Sequence, residues 1–448
     1  MKNNIGIFIV GSIIMLTPSC LGSDDINNVT EIKDAQISSF VLANDSVTDL
    51  ANVKFTIDQV NGFIFNNDSL PYGTQISKVI CTLTYSTGVS AVSVEQESTD
   101  STIWWNGTDS LDFSKPIKFT TTAYDGATKK TYKAWVNIHQ IIPDLMVWER
   151  WAAPLAGINA DEQKVVKHTR NGEEVYLMYS KTSGANSLHY SAATDVKNWS
   201  ELPLSGLPAA TTDISQVTIY ENTLYAPADG NIYRSEDGAS WTKVEQTPVV
   251  KAILGVLKEG RNTRSMLAAI IENGNSRFFA GMNNEGVWTE GNAAPDDFPV
   301  SGFGSLGYYR MSNEYITVVA GKDKAGRLSN ATWGTDNTLS WALLSGEQDN
   351  FFEKKAGVML ALYDNKFYLM GGINAEGKAS KDIHVSIDNG VTWSPADSLK
   401  AFPETYIARG YASVHVDESK YMLIFGGKTS NGVKTLDELW RGRINLLK

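Results

Sequence analysis

The sequence predicts an all-β chain: a small β-sandwich, then a six-bladed β-propeller closed by a strand shared between its two ends. Three observations predict it. Short runs alternate apolar and polar residues at period two, as in Val53-Lys54-Phe55-Thr56-Ile57. Trp199, Trp241, Trp288, Trp341 and Trp393 stand 42, 47, 53 and 52 residues apart by their numbers, the length of a four-stranded blade. Residues 330–341 also lie over 382–393 without a gap, matching Asp336 to Asp388, Asn337 to Asn389 and Trp341 to Trp393.

The chain opens with a short basic start at Lys2 and an apolar stretch from Ile5 to Leu16, followed by Thr17-Pro18-Ser19-Cys20. A run this short suits a signal peptide, because a spanning helix needs about 20 apolar residues. A small residue directly before Cys20 resembles the bacterial lipobox, with Leu16 one place further from the cysteine than is common. Lipoproteins of the Bacteroidota carry such loosened boxes, and Ser23-Asp24-Asp25 resembles their surface-export signal. The resemblance implies acylation of Cys20 and a surface-exposed outer-membrane lipoprotein of the cell envelope, held by lipid alone. Ordinary secretion is the alternative. The expected order is a leader over 1–19, an acylated Cys20 with a polar tether to 31, a sandwich over 32–142 and a propeller over 143–448.

Composition sets the outer bounds. Over 448 residues, 42% apolar and 20% charged content describes a foldable globular chain. A net charge of −11 argues against a nucleic-acid partner, and no basic stretch suits a membrane surface. A monomer is expected. Cys81, within Val79-Ile80-Cys81-Thr82-Leu83, reads as a buried free thiol rather than a disulfide partner of Cys20.

In the sandwich region Ile117-Lys118-Phe119-Thr120-Thr121 alternates cleanly, and Asp125-Gly126 marks a hairpin turn. This hairpin resembles the end of the immunoglobulin-like modules of Bacteroidota surface lipoproteins, which implies a spacer. Trp104-Trp105 reads as a packed or edge-covering pair, or else as a sugar platform.

Within the repeats, Ser386-Ile387-Asp388-Asn389-Gly390-Val391-Thr392-Trp393 is a complete Asp-box, and 235–241 is the same motif one residue shorter. Such a motif makes a turn: the carboxylate accepts backbone N–H groups, the glycine takes left-handed angles and the tryptophan packs between sheets. Its carboxylates are therefore structural. Tyr368-Leu369-Met370-Gly371-Gly372 and Leu423-Ile424-Phe425-Gly426-Gly427 resemble kelch repeats, with Val318-Val319-Ala320-Gly321 a degenerate copy. After Gly427 the last unit runs through Asp437-Glu438-Leu439-Trp440 and lacks an outer strand. Met146-Val147-Trp148-Glu149-Arg150-Trp151 supplies a candidate, and sharing one blade hides the exposed sheet edges. Five full units and one shared unit make six; one overlooked degenerate repeat would make seven.

Ligands of propellers sit over the central channel. In kelch propellers the loops after the double glycine and those entering each innermost strand line it. Here the first class comprises 372–381, 427–435, 321–329 and 180–187, and the second includes 303–309, 354–357 and 407–411. Arg409, Tyr411, Lys354, Lys355, Tyr308 and Tyr309 are the candidate ligand-binding residues; cations and aromatics suit a carbohydrate or an acidic ligand. Arg409 alternatively bonds a neighbouring blade, as kelch arginines do. A sialidase-like glycosidase shares Asp-boxes and six blades. Its early Phe-Arg-Ile-Pro segment is absent, while Arg150, Arg234, Arg310 and Arg409 supply enough arginines for its triad. A galactose-oxidase-like copper enzyme needs a cysteine crosslinked to tyrosine, and none follows Cys81. The five histidines are scattered without metal-ligand spacing, so neither metal nor cofactor is expected.

After Cys20 the chain resembles an uncharacterised Bacteroidota lipoprotein family with an Ig-like N-terminal domain and a kelch or galactose-oxidase-type propeller. The expected function is non-catalytic binding of a glycan, peptide or protein partner by the propeller. The alternative is a glycoside hydrolase, sialidase-like or lyase enzyme with an unrecognised site.

Overall fold

The computed structural model describes residues 32–446, save 45, 46, 48, 99, 246, 262, 263, 351 and 433. The segment expected to be a leader, and Cys20, expected to be acylated, lie outside the described residues. Among the described residues strands dominate, and the helical segments are three single 3₁₀ turns. The chain divides into two compact units at Ile142/Pro143.

The first unit packs two sheets over one core. Ile37–Ala43, Val79–Tyr85 and Ser110–Leu111 form the smaller sheet. The larger has six strands, with Phe63–Asn66 and Lys129–Trp135 paired in parallel and its other neighbours antiparallel. Alternation along Ile117–Ala123 sends Ile117, Phe119 and Ala123 inward, the first two into one core with Phe40, Val79 and Cys81 from the facing sheet. Burial pushes the Cys81 thiol far above its ordinary range. Asp125 closes its hairpin by accepting the N–H groups of Ala127 and Thr128. Trp104 and Trp105 part company. Trp105 packs on the core, whereas Trp104 is 74% exposed on the edge strand Ser101–Trp104.

Among its described residues the second unit holds a two-stranded pair, Lys355–Ala356 with Ile373–Asn374, and six four-stranded antiparallel sheets. Their first strands are Glu162–Arg170, Thr218–Tyr220, Val249–Leu257, Gly304–Arg310, Met359–Tyr363 and Ser413–Val416. Successive first strands touch, and the sixth returns to touch the first. At that seam Val165 donates its N–H to Ser413 Oγ at 2.8 Å, and His415 Nε2 bonds the Val165 carbonyl at 2.9 Å. Apolar side chains fill the space between adjacent sheets. Leu254, Ile270 and Phe279 of the third meet Ile316, Val318 and Trp333 of the fourth. The sixth sheet takes its outer strand from the start of the unit: Met146–Ala152 pairs antiparallel with Leu439–Ile444.

The aspartate turns set the outer hairpins. Asp388 accepts Thr392 N–H at 2.9 Å and Ser386 Oγ–H at 2.8 Å, with Gly390 at φ +93°. Trp393 donates its ring N–H to Thr332 Oγ1 of the preceding sheet at 3.0 Å, tying two sheets together. The gapless overlay of 330–341 on 382–393 needs correcting by one residue. Asn337, not Asp336, accepts the N–H groups of Leu339 and Ser340, while Thr335 Oγ1 accepts that of Thr338. This is the shorter turn of Ser235–Trp241, where Asp237 accepts Ala239 and Ser240 N–H. Asn337 works there because an amide oxygen accepts backbone N–H groups as a carboxylate does.

Candidate functional site

The first strands of the second unit surround a cavity of about 760 Å³. Each of the six sheets, or the segment leading into it, supplies part of the wall. One end is built where first strands begin and second strands finish. There Gly302, Gly357 and Tyr411 enter the fourth, fifth and sixth sheets, joined by backbone hydrogen bonds from Gly357 to Gly302 and from Tyr411 to Gly357, each 2.6 Å. All three have left-handed backbones, at φ +61°, +69° and +58°. Glycine adopts that conformation freely, whereas tyrosine does so at a cost of order 1 kcal/mol. Gly357 is further constrained because a Cβ there would stand 2.5 Å from the Tyr411 ring.

Tyr411 thus presents an aromatic side chain to the cavity, and its hydroxyl has no hydrogen-bond partner among the described residues. Burial, with the nearby charges of Asp213 and Glu162, pushes that hydroxyl above its ordinary pKa. Lys428 sits 6.0 Å from the ring centroid. Lys164 reaches the same cavity from the first sheet. Burial pulls its amine below the ordinary lysine range, and the charge of Asp213 partly offsets this. Asp213 itself is occupied: it accepts from Ser215 N–H, Ser215 Oγ–H and Gln216 Nε2–H. Gln216 also bonds Val300 O and Ile253 N–H, bridging the second sheet to the third and to the approach to the fourth. At the other end of the first strands Glu314 lines the cavity; burial raises its carboxyl pKa, opposed by the N–H and charge of Lys258.

Of the six candidates read from the sequence, Tyr411 alone lines this cavity. Arg409 is fully buried and faces the opposite way, bonding Glu438 Oε1 at 2.5 Å and the carbonyls of Gly426 and Ile407 at 2.9 Å. Lys354 forms an exposed ion pair with Glu347. Lys355 is buried, its amine 5.8 Å from the Phe352 ring, and burial lowers its pKa. Beside it His384 is pulled down to about 4 by burial and by the Lys355 charge. Tyr308 stacks on Tyr315 at 5.6 Å and meets Phe367 edge-on at 4.9 Å. Tyr309 is exposed and donates its hydroxyl to Glu259 O at 2.7 Å.

What sequence reasoning missed are the lysines. Lys181, Lys322 and Lys428 lie in loops it had marked, and Lys322 and Lys428 directly follow Gly321 and Gly427. That recurrence is the signal that would have found them. No arginine appears in the cavity wall among the described residues. Arg150 pairs with Glu438 beside Arg409, while Arg234 and Arg310 are exposed. The four therefore do not gather in the cavity as a carboxylate-binding triad. The described residues also hold no group of three His, Cys, Asp or Glu able to bind a metal ion. None of their helices is long and apolar enough to cross a membrane.

Comparison with known proteins places both units. Residues 142–448 match the family described as the DUF6242 beta propeller domain, and residues 23–136 match the DUF6242 N-terminal domain. No curated protein matches the chain. Among solved structures, that of YjhT aligns with a TM-score of 0.46 and 14% identity, over 64% of this chain and 96% of its own. The chain belongs to the DUF6242 family, and its second unit is a β-propeller domain.

Proposed function

We propose that this protein is a non-catalytic lipoprotein of the bacterial outer membrane, surface-exposed and monomeric, whose propeller binds a glycan or a peptide in its central cavity. In this reading the second unit is a six-bladed ring of kelch and Asp-box character, closed by the strand Met146–Ala152. Six four-stranded sheets with first strands in cyclic contact support that count. The two-sheet first unit serves as an Ig-like spacer between the acylated Cys20 and the propeller.

The observation that carries the binding reading is Tyr411. A tyrosine in a backbone conformation that costs free energy, with its hydroxyl unpartnered and turned into a cavity, is an arrangement that persists where a ligand uses it. The volume suits a small ligand or the end of a larger one. Screening the full chain against a glycan array and a peptide library should yield binders. Tyr411→Ala should weaken them by at least about tenfold, with the melting temperature held within a few degrees. A binder untouched by Tyr411→Ala places the site elsewhere.

One observation favours the enzymatic alternative: Glu314, a buried carboxyl with a raised pKa, lines the same cavity. Turnover of a bound glycan that Glu314→Gln abolishes would replace the binding reading with a glycosidase or lyase one. For the anchor, Cys20→Ala should move the protein from the membrane to the soluble fraction; unchanged fractionation refutes acylation.

A further inference from the structure

Three lysines of the cavity occupy equivalent places in three different sheets. Lys181 pairs with Glu162, Lys322 bridges to Ser301 and Lys428 bridges to Gly410, each at the entry of its sheet's first strand. The backbone does not demand lysine there. At the entry to the fifth sheet the same place after the glycine pair is held by Ile373, which pairs with Ala356 in a two-stranded sheet of its own.

None of the three makes an ion pair among the described residues, although the Lys428 charge reaches Asp161. Lys181 reaches only the Thr212 carbonyl, at 3.4 Å. The Lys428 ammonium lies near the Tyr411 ring, and that of Lys322 has no hydrogen bond or ion pair among the described residues. The acids beside them are Glu162, Asp213 and Asp161, which feels the Lys428 charge; Asp213 is occupied by Ser215 and Gln216, and Asp161 by Lys434 and Ser183. Unpaired ammonium groups gathered in a cavity repel one another, and in a chain of net charge −11 that local excess runs against the whole.

From the sheet order, Lys181 and Lys428 stand on neighbouring sheets, the first and sixth. Lys322, on the fourth, stands across the ring from them. Hydroxyls of Thr211, Thr212, Ser215, Ser301 and Thr435 occupy the wall around the lysines. We infer that the ligand is an acidic oligosaccharide carrying at least two carboxylates, held across the mouth by Lys181 and Lys428 on one side and Lys322 on the other. This rests on the binding reading above. Lysine suits the task as a flexible point charge, and ring hydroxyls between the two charges find partners in the threonines and serines.

The probes are galacturonate, trigalacturonate, the neutral galactotriose and triglutamate, titrated calorimetrically into the full chain. Trigalacturonate should bind at least about tenfold tighter than either galacturonate or galactotriose, and raising salt should weaken it. Lys322→Met should remove most of the advantage over galacturonate. Lys324→Met, at a surface lysine paired with Asp296 outside the cavity wall, should leave it intact. Because the Lys322 ammonium has no partner, thermal melts of Lys322→Met should match the parent. Equal binding of galactotriose and trigalacturonate, both lost in Tyr411→Ala, overturns the acidic assignment and leaves the binding reading standing. Tighter binding of triglutamate overturns the oligosaccharide. Failure of trigalacturonate to bind overturns the inference, while array binders lost in Tyr411→Ala would still uphold the cavity as the site.

Discussion

Replacing Arg409 with alanine should destabilise the propeller by about 3 kcal/mol, the cost of breaking a buried ion pair and leaving Glu438 only the more exposed Arg150. Arg409 is fully buried, and Glu438 is nearly so. The guanidinium bonds Glu438, Gly426 and Ile407 and stacks 4.2 Å from the Tyr406 ring centre. Glu438 in turn pairs with Arg150 at 2.6 Å and accepts the Trp440 ring N–H at 2.9 Å. One ion pair thereby joins the approach to the first strand of the sixth sheet, the turns flanking its next two strands, and the outer strand from the start of the unit. Arg409→Met with Glu438→Leu should recover much of the loss, since an apolar pair leaves no buried charge. Denaturant unfolding of the propeller transition measures both. A loss under about 0.5 kcal/mol in Arg409→Ala would show that the pair is not what holds the sheet.

The same pair sets a pH dependence. Burial raises the Glu438 pKa, but the bond and charge of Arg409, the Trp440 bond and the Arg150 charge outweigh it and hold the carboxyl below the ordinary range. The folded value therefore lies below the unfolded one, near 4.3. Its contribution is full above the unfolded value and fades as pH falls through the folded one. Glu438→Gln should flatten that part of the stability profile; a profile unchanged between parent and variant contradicts the assignment.

The second large effect is expected at Trp148, which seats the outer strand of the sixth sheet. Trp148 stands opposite Gly442, and its ring lies where a Gly442 side chain would go, 2.4 Å from the position of a Cβ. It meets Phe402 at 4.4 Å and donates its N–H to Lys400 O at 3.2 Å. Trp148→Ala should cost about 2–3 kcal/mol, less than a fully buried tryptophan because the ring is partly exposed. Val147→Ala, on the exposed face of the same strand, should stay within about 0.5 kcal/mol. Hydrogen exchange should show the Met146–Ala152 amides opening first in Trp148→Ala. If the two variants behave alike, the strand is held by its ladder and not by the tryptophan.

Arg409 and Tyr411 show where reading by spacing stops. Both stand in the loop 407–411, where no strand period says which way a side chain turns. In the structure Arg409 turns into the sheet, while Tyr411, with its left-handed backbone, lines the cavity. Lys354 and Lys355 are separated by ordinary alternation, one to a surface ion pair and the other to a buried place beside Phe352. Lys164 gave no sign at all, because a lysine inside an alternating strand reads as solvent-facing.

The sequence by itself determined what local chemistry and periodicity fix. Period-two runs made the all-β class, tryptophan spacing counted the repeats, and serine, aspartate and glycine in order made the turns. The alternation and the turns depend on neighbours a few residues away, and the count on a repeat of 42 to 53 residues. The tertiary structure decided which side chains meet, because the cavity is walled by residues from 162 to 435, drawn from six sheets. Lys181, Lys322 and Lys428 become one set only when the sheets stand around a common centre, and no spacing along the chain encodes that distance.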